Sequence, residues 1–283
     1  MKNKFAIFIC THGRPKTQHT LSLLRSCGYT GDIYLVVDDE DNTVEELKAN
    51  YSELGAIVSM FNKEHYFQTM DKGTNENHRA CILYAKGYCE DLARELGLDA
   101  FVIADDDLLS FRFRYCDGDS LKSQKITSNL DAVLEAYVEY MLSSNISATG
   151  FGFTQFYFTG VDSFGYENMQ KYRVPYNFVF RNTKHRVDWL SWFGEDVISG
   201  VYYNKIGQIW TATPLVQQEI FPLATQEGGM KDVYDGNQSI RLAMQNLMYL
   251  PSEIKPFLYK GKYMAAIKRE NAFPKIISGS FKK

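Results

Sequence analysis

The apolar residues Phe101, Val102, Ile103 and Ala104 run without a break into three consecutive carboxylates, Asp105, Asp106 and Asp107. A strand that is apolar at every position is buried on both faces, as in the middle of a parallel sheet. The carboxylates then fall at its C-terminal end, where open α/β sheets place their ligands. Three adjacent negative charges repel one another. A hard divalent cation, Mg²⁺ or Mn²⁺, offsets that repulsion because it favours oxygen ligands. Taken alone, the triplet also reads as a solvated acidic turn.

The preceding hundred residues repeat one pattern. Residues 5–10 form a short apolar run ending in Thr11-His12-Gly13-Arg14-Pro15. Residues 16–27 show helical periodicity and stop at Gly28. A second strand over 32–37 ends in Asp38-Asp39-Glu40-Asp41. Thr43 is placed to cap a helix with Glu45 and Glu46 in its first turn. A third strand covers 56–61. A long helix is expected over 76–96, with His78 and Arg79 in its first turn. Basic residues there oppose the helix dipole, so they are expected to face an anion. Strand, helix, strand, helix, strand is the signature of a parallel sheet, and it brings Thr11, Asp38 and the acidic triplet to one edge.

At 283 residues the chain suits one large α/β domain, or one domain with an appendage. Its five cysteines, Cys10, Cys27, Cys81, Cys89 and Cys116, lack CxxC spacing and read as reduced thiols of a cytoplasmic protein. The N-terminal apolar run is too short for a signal peptide, and no run reaches the length of a membrane span. The net charge of -3 hides an asymmetry: residues 251–283 carry +6 and the first 250 carry -9. That basic tail, interleaved with Phe257, Tyr259, Tyr263, Phe273 and Phe281, suits either a polyanion or a solvated surface.

Beyond Asp107 the pattern changes. Residues 111–115 alternate as a strand, and Ser128 with Asp131 reads as a capping box. Residues 145–159 are rich in glycine and aromatics, which suits an aromatic-walled cleft or ordinary sheet packing. A strand is expected over 176–180. Then Trp192-Phe193-Gly194-Glu195-Asp196 opens a short helix that ends near Gly207, before a strand over 208–213.

An acidic pair opening a helix after an aromatic-glycine turn resembles the Glu-Asp element of inverting GT-A glycosyltransferases. The Thr11 loop, the Asp38-Asp39 turn and the DxD-type triplet match that fold in order over residues 4–214. The Thr-His-Gly-Arg-Pro opening, the Asp-Asp-Glu-Asp turn and Gly228-Gly229-Met230 resemble the TET-associated glycosyltransferases of bacteriophages, which transfer a sugar to hydroxymethylated pyrimidines in DNA. The implied fold is α/β, a Rossmann-like GT-A domain over 1–214 with a mostly parallel sheet flanked by helices. Residues 215–283 would form an acceptor-side extension packed on it.

The resemblance also implies roles. Asp196 would be the catalytic base, with Glu195 beside it. Asp107 and Asp105 would hold Mn²⁺ or Mg²⁺. Thr11, Arg14, Asp38, Asp39, Arg79, Asp105 and Asp106 would contact the donor nucleotide. The donor would be a UDP-sugar, UDP-glucose by default, and the acceptor double-stranded DNA carrying hydroxymethylpyrimidines. Lys260, Lys262, Lys268 and Arg269 would meet that DNA, with Arg181, Lys184 and Arg186 a second cluster. Many GT-A enzymes add a histidine ligand after the base, but none follows His185 here; Asp232, Asp235 or water would stand in. The location would be the cytoplasm, that of the host for a phage protein. A polysaccharide, lipopolysaccharide or protein acceptor would need the same donor chemistry. A nucleotidyltransferase, a metal-dependent nuclease and a non-catalytic sugar-binding module are the further readings.

Overall fold

The computed structural model describes residues 2–74, 77, 79–165, 177–183, 187–222, 238–259 and 261–268. Two strand–helix repeats and a third strand open the chain: β1 (Phe5–Cys10), α1 (His19–Ser26), β2 (Ile33–Asp38), α2 (Val44–Tyr51) and β3 (Ala56–Phe61). After α3 (Lys63–Thr69) and α4 (Ile82–Glu95) comes β4 (Ala100–Asp105), whose first five residues are all buried. β5 (Leu108–Asp117) and β6 (Ser120–Lys125) form a hairpin. Then follow α5 (Leu130–Ser143), β7 (Ala148–Gly152), β8 (Phe178–Arg181), α6 (Glu195–Lys205) and β9 (Trp210–Ile220). α7 (Gln238–Tyr249) and a second hairpin, β10 (Ile254–Tyr259) with β11 (Lys262–Ile267), complete the described chain.

Among the described residues, nine strands form one sheet in the order β3-β2-β1-β4-β8-β7-β9-β5-β6. β3, β2, β1 and β4 are mutually parallel. β8 runs against β4 and β7, and β5 runs against β9 and β6; the other strands share one direction. The expected mostly parallel sheet flanked by helices is therefore present. β1 and β4 pair from Phe5↔Ala100 to Cys10↔Asp105, so the Thr11 loop and the acidic triplet leave the sheet side by side.

Alternation along each strand feeds two cores. Ile7, Ile9, Val102 and Ala104 face α1, α2 and α5. Ala6, Phe8, Phe101 and Ile103 face α4 and the paired indoles of Trp189 and Trp210. Burying one such side chain contributes about 1.5–3 kcal/mol, which explains why these strands are apolar at every position.

Several local expectations are corrected. α4 begins at Ile82, not at 76; Cys81 sits at its N-cap, with Sγ accepting the Leu83 N–H at 3.3 Å. Ser128 and Asp131 form no capping box. The N-cap of α5 is Asn129 at φ 62°, and Asp131 instead accepts the N–H and hydroxyl of Thr30. Thr43 occupies the N-cap of α2, but its hydroxyl donates to Asp41 rather than to the helix. β5 is twice the length read from 111–115, because pairing with β9 extends it back to Leu108 and pairing with β6 extends it on to Asp117. β8 ends at Arg181, and Tyr176 lies outside the described residues. β9 runs through Pro214 to Ile220, so the domain boundary expected at 214 falls inside a strand that pairs with both β7 and β5. A third, smaller core joins Ile198 and Val201 of α6 to Leu250 and Ile254. It docks α7 and the C-terminal hairpin on α6.

Candidate active site

The acidic end of β4 is held from three sides. Asn177 accepts the Asp105 N–H at 2.7 Å, and the Thr20 hydroxyl donates to the Asp105 carbonyl at 2.6 Å. The same hydroxyl accepts the Leu108 N–H at 2.9 Å, which closes the turn. Within it, the three carboxylates point to different tasks. Asp106 turns inward: Oδ2 accepts the Thr11 hydroxyl at 2.6 Å, and Oδ1 pairs with Arg14. Gln18 donates to Thr11 Oγ1 at 2.8 Å and to the Arg14 carbonyl at 3.1 Å. Asp106 thus anchors the first loop rather than standing free.

Asp107 differs. Its Oδ1 is buried and has no hydrogen-bond partner. Burial, then the neighbouring Asp106 charge, push its carboxyl up to about 6. Burial, then Asp107, push Asp105 up to about 7, with Lys86 opposing. An unpartnered buried oxygen beside a second carboxylate that resists ionisation is what a divalent cation corrects, so this pair fits one. Among the described residues, no group of three or more His, Cys, Asp or Glu side chains is placed to hold a metal ion.

The β2 turn builds the adjoining wall. Asp38 Oδ2 lies 2.8 Å from His12 Nδ1, and Asp38 Oδ1 accepts the Lys63 ammonium at 3.2 Å. Asp39 accepts the Lys63 N–H at 3.0 Å, and Asp41 accepts the Gly13 N–H at 2.8 Å. Burial pushes the Asp38 carboxyl up, but the His12 hydrogen bond and the His12 and Lys63 charges outweigh it, leaving the group below its ordinary range. The same hydrogen bond raises His12. Arg79 precedes α4 and pairs with Glu40 and Glu64 while its guanidinium covers the Phe67 ring at 4.8 Å. The anion it faces in this structure is protein carboxylate; its expected neighbour His78 lies outside the described residues.

Glu195 and Asp196 form the first turn of α6. The residue before them, Gly194, adopts φ +74°, and a Cβ there would lie 2.6 Å from Leu242 Cδ1. Ser191 is also left-handed, at φ 73°. Its N–H donates to the Asp71 carbonyl at 2.9 Å, and the Trp192 N–H donates to that of Lys72 at 3.1 Å. Ser191 Oγ donates to the Phe193 carbonyl and to Gln245 of α7. The stretch from Met70 to Thr74 lines an open cleft of about 430 Å³ beside this loop.

What joins the two acidic elements is Lys86, a residue that local reading passes over. Its ammonium donates to Glu195 Oε1 at 2.7 Å, with the lysine side chain 2% and the glutamate 13% exposed. Burial lowers the lysine, but the charges of Glu195, Asp105 and Asp196 outweigh it and raise the group. The sequence signal was a lysine on the buried stripe of α4 with Leu83, Glu90 and Ala93.

The remaining expected residues are not gathered here. Lys260 and Arg269 lie outside the described residues, as do the Lys262 side chain, Lys184, Arg186, Asp232, Asp235 and Gly228-Gly229-Met230. Lys268 donates its backbone N–H to Glu253 at the foot of the C-terminal hairpin. Arg181 donates to the carbonyl of Leu142. The aromatic stretch is core: Phe151, Phe153, Phe156 and Tyr157 are buried, and only Phe158 is open, at 76%.

A Rossmann-like sheet with a DxD-type turn on its fourth strand and an acidic helix start facing it defines a glycosyltransferase of the GT-A fold. Solved structures agree on the fold. Glucosyl-3-phosphoglycerate synthase from Mycobacterium tuberculosis, in complex with Mn²⁺, UDP and glucosyl-3-phosphoglycerate, superposes with a TM-score of 0.51 at 9% identity, covering 95% of this chain and 88% of that one. The same enzyme with phosphoglyceric acid gives 0.51 at 9% identity, over 94% and 87%. No curated protein matches the sequence. The family model of the TET-Associated Glycosyltransferases matches residues 5–209, and the chain belongs to that family.

Proposed function

We propose that the protein transfers a sugar from a UDP-sugar to a hydroxyl acceptor with inversion, the acceptor being a 5-hydroxymethylpyrimidine in phage DNA. The observation that carries the reading is the buried Lys86 ammonium, bonded to Glu195 of α6 at 2.7 Å and acted on by the charges of Asp196 on α6 and Asp105 on β4. Family membership supports the DNA acceptor, and the UDP and Mn²⁺ complexes of the fold relative support the donor and metal.

Asp107 and Asp105 would hold Mn²⁺ or Mg²⁺, which supplies Lewis-acid neutralisation of the diphosphate leaving group. Thr11 and Arg14, fixed by Asp106, line the nucleotide side, with Asp38 and Asp39 beyond them. Asp196 takes the proton of the acceptor hydroxyl as its oxygen attacks C1 of the sugar. The C1–O bond to the diphosphate breaks on the opposite face, and UDP leaves with the electron pair. One base and no covalent carboxylate give inversion.

Incubating the enzyme with Mn²⁺, hydroxymethylated DNA and a panel of UDP-sugars, then weighing the nucleosides by mass spectrometry, tests the proposal. A mass gain of one sugar on the hydroxymethylated nucleoside is expected. UDP-sugar hydrolysis without any DNA product would keep the donor chemistry and discard this acceptor.

A further inference from the structure

We propose that Lys86 is a positioning residue for transfer: by holding the carboxylate of Glu195 it fixes the first turn of α6, and with it Asp196, against the acidic end of β4. This rests on the reading of Asp196 as the base.

Three observations converge. First, Lys86 is enclosed. At 2% exposure it cannot touch substrate, and its ammonium lies 4.8 Å from the Trp189 ring centroid and 5.1 Å from that of Phe178. Second, the first turn of α6 has no side-chain cap. Gly194 sits at the N-cap, and Asp196 Oδ1 accepts the adjacent Val197 N–H, at 2.8 Å. The 2.7 Å Lys86–Glu195 bond spans 109 residues and ties that turn to α4. Third, the carboxylates whose charges act on Lys86 are Glu195 and Asp196 of α6 and Asp105 of β4. A buried ion pair is a poor device for stability, since well-packed apolar residues of similar volume commonly do as well or better. Its use here is geometric. The 2.7 Å bond holds the start of α6 on α4, and the charges of Asp105 and Asp196 act on the same ammonium; a base displaced by about 1 Å loses about a hundredfold in rate.

The test is kinetic. Lys86→Met alone strands the Glu195 charge, so the informative protein is the Lys86→Met/Glu195→Gln double variant, which removes both charges and keeps the volumes. Cooperative melting and calorimetric UDP binding in Mn²⁺ establish that it is folded. The expected result is kcat about a hundredfold down with donor KM within about threefold of the parent. Lys86→Arg, which retains a cation, should recover about tenfold or more of that loss. Parental kcat in the double variant overturns the proposal, and so does a donor KM that rises in step with the loss of kcat. Parental kcat in Asp196→Asn would instead remove the base itself, so the two failures are distinguishable.

Discussion

The hydroxyl of Thr11 donates to Asp106 at 2.6 Å across 95 residues of sequence, binding the loop after the first strand to the middle carboxylate of the acidic triplet. Arg14 closes on the other oxygen of the same carboxylate. One side chain therefore sets the shape of that first loop, while the two carboxylates flanking it remain for other work.

Replacing Asp106 with Ala should accordingly disturb donor binding more than chemistry. Two hydrogen bonds to a charged group are lost, each worth about 1.5–3 kcal/mol. Donor KM is expected to rise by about tenfold or more, with a smaller change in kcat. Steady-state kinetics with varied UDP-sugar measure both, and an unchanged KM would detach this loop from the donor site.

Asp107→Ala should abolish turnover and weaken UDP binding in Mn²⁺, because its buried, unpartnered Oδ1 is the oxygen most suited to a cation. Asp105→Ala should mainly raise donor KM. Chelation of the wild-type enzyme should stop the reaction, and Mn²⁺ should restore it. Activity that survives chelator removes the metal from the triplet.

Asp196→Asn keeps shape and deletes the proton acceptor. The expected loss in kcat is about 10²–10⁴-fold with donor affinity unchanged. Wild-type kcat in this variant would shift the base to Glu195 or Asp188.

His12 and Asp38 predict a pH dependence. His12 is raised above its ordinary 6.5, chiefly by its hydrogen bond to Asp38. A raised histidine contributes stability that is complete below its unfolded value and is lost as pH rises through its folded value. Asp38 is lowered, so its contribution is present above the unfolded carboxylate value and is lost as pH falls through the folded one. With the His12 side chain 43% exposed, the effect is modest. Melting curves of wild type and His12→Gln should differ near pH 5.5 and converge well above neutrality. A gap that widens with pH would reverse the sign and refute the pairing.

If DNA is the acceptor, binding should weaken steeply with salt. Neutralising Lys260, Lys262, Lys268 and Arg269 together should reduce DNA modification while slow UDP-sugar hydrolysis persists. Since Phe151, Phe153, Phe156 and Tyr157 are committed to the core, they cannot receive an extruded base; Phe158→Ala is the variant that tests stacking there. Unchanged DNA modification in the quadruple variant at moderate salt takes the tail out of the interface.

Sequence alone determined the elements whose cause is local. Residues 5–10, 33–37 and 101–104 carry no charged side chain because both faces of those strands are covered, and that signal needs no partner to be read. The carboxylates at 38–39, 105–107 and 195–196 follow from where strands end and a helix begins. Tertiary structure decided what each carboxylate is for. Asp105, Asp106 and Asp107 are alike in sequence, yet one feels the buried Lys86 charge, one holds Thr11 and Arg14, and one keeps a bare buried oxygen. The passage of β9 through Pro214 was likewise hidden, because pairing with β7 and β5 carries the strand past that residue. Lys86 sits on a helix that could present it to water. Only the packing of Phe178 and Trp189 around it, and the arrival of Glu195 from 109 residues away, make it an internal cation. Charge partners so distant carry no periodic signature, because their distance is set by the fold rather than by helix or strand repeat.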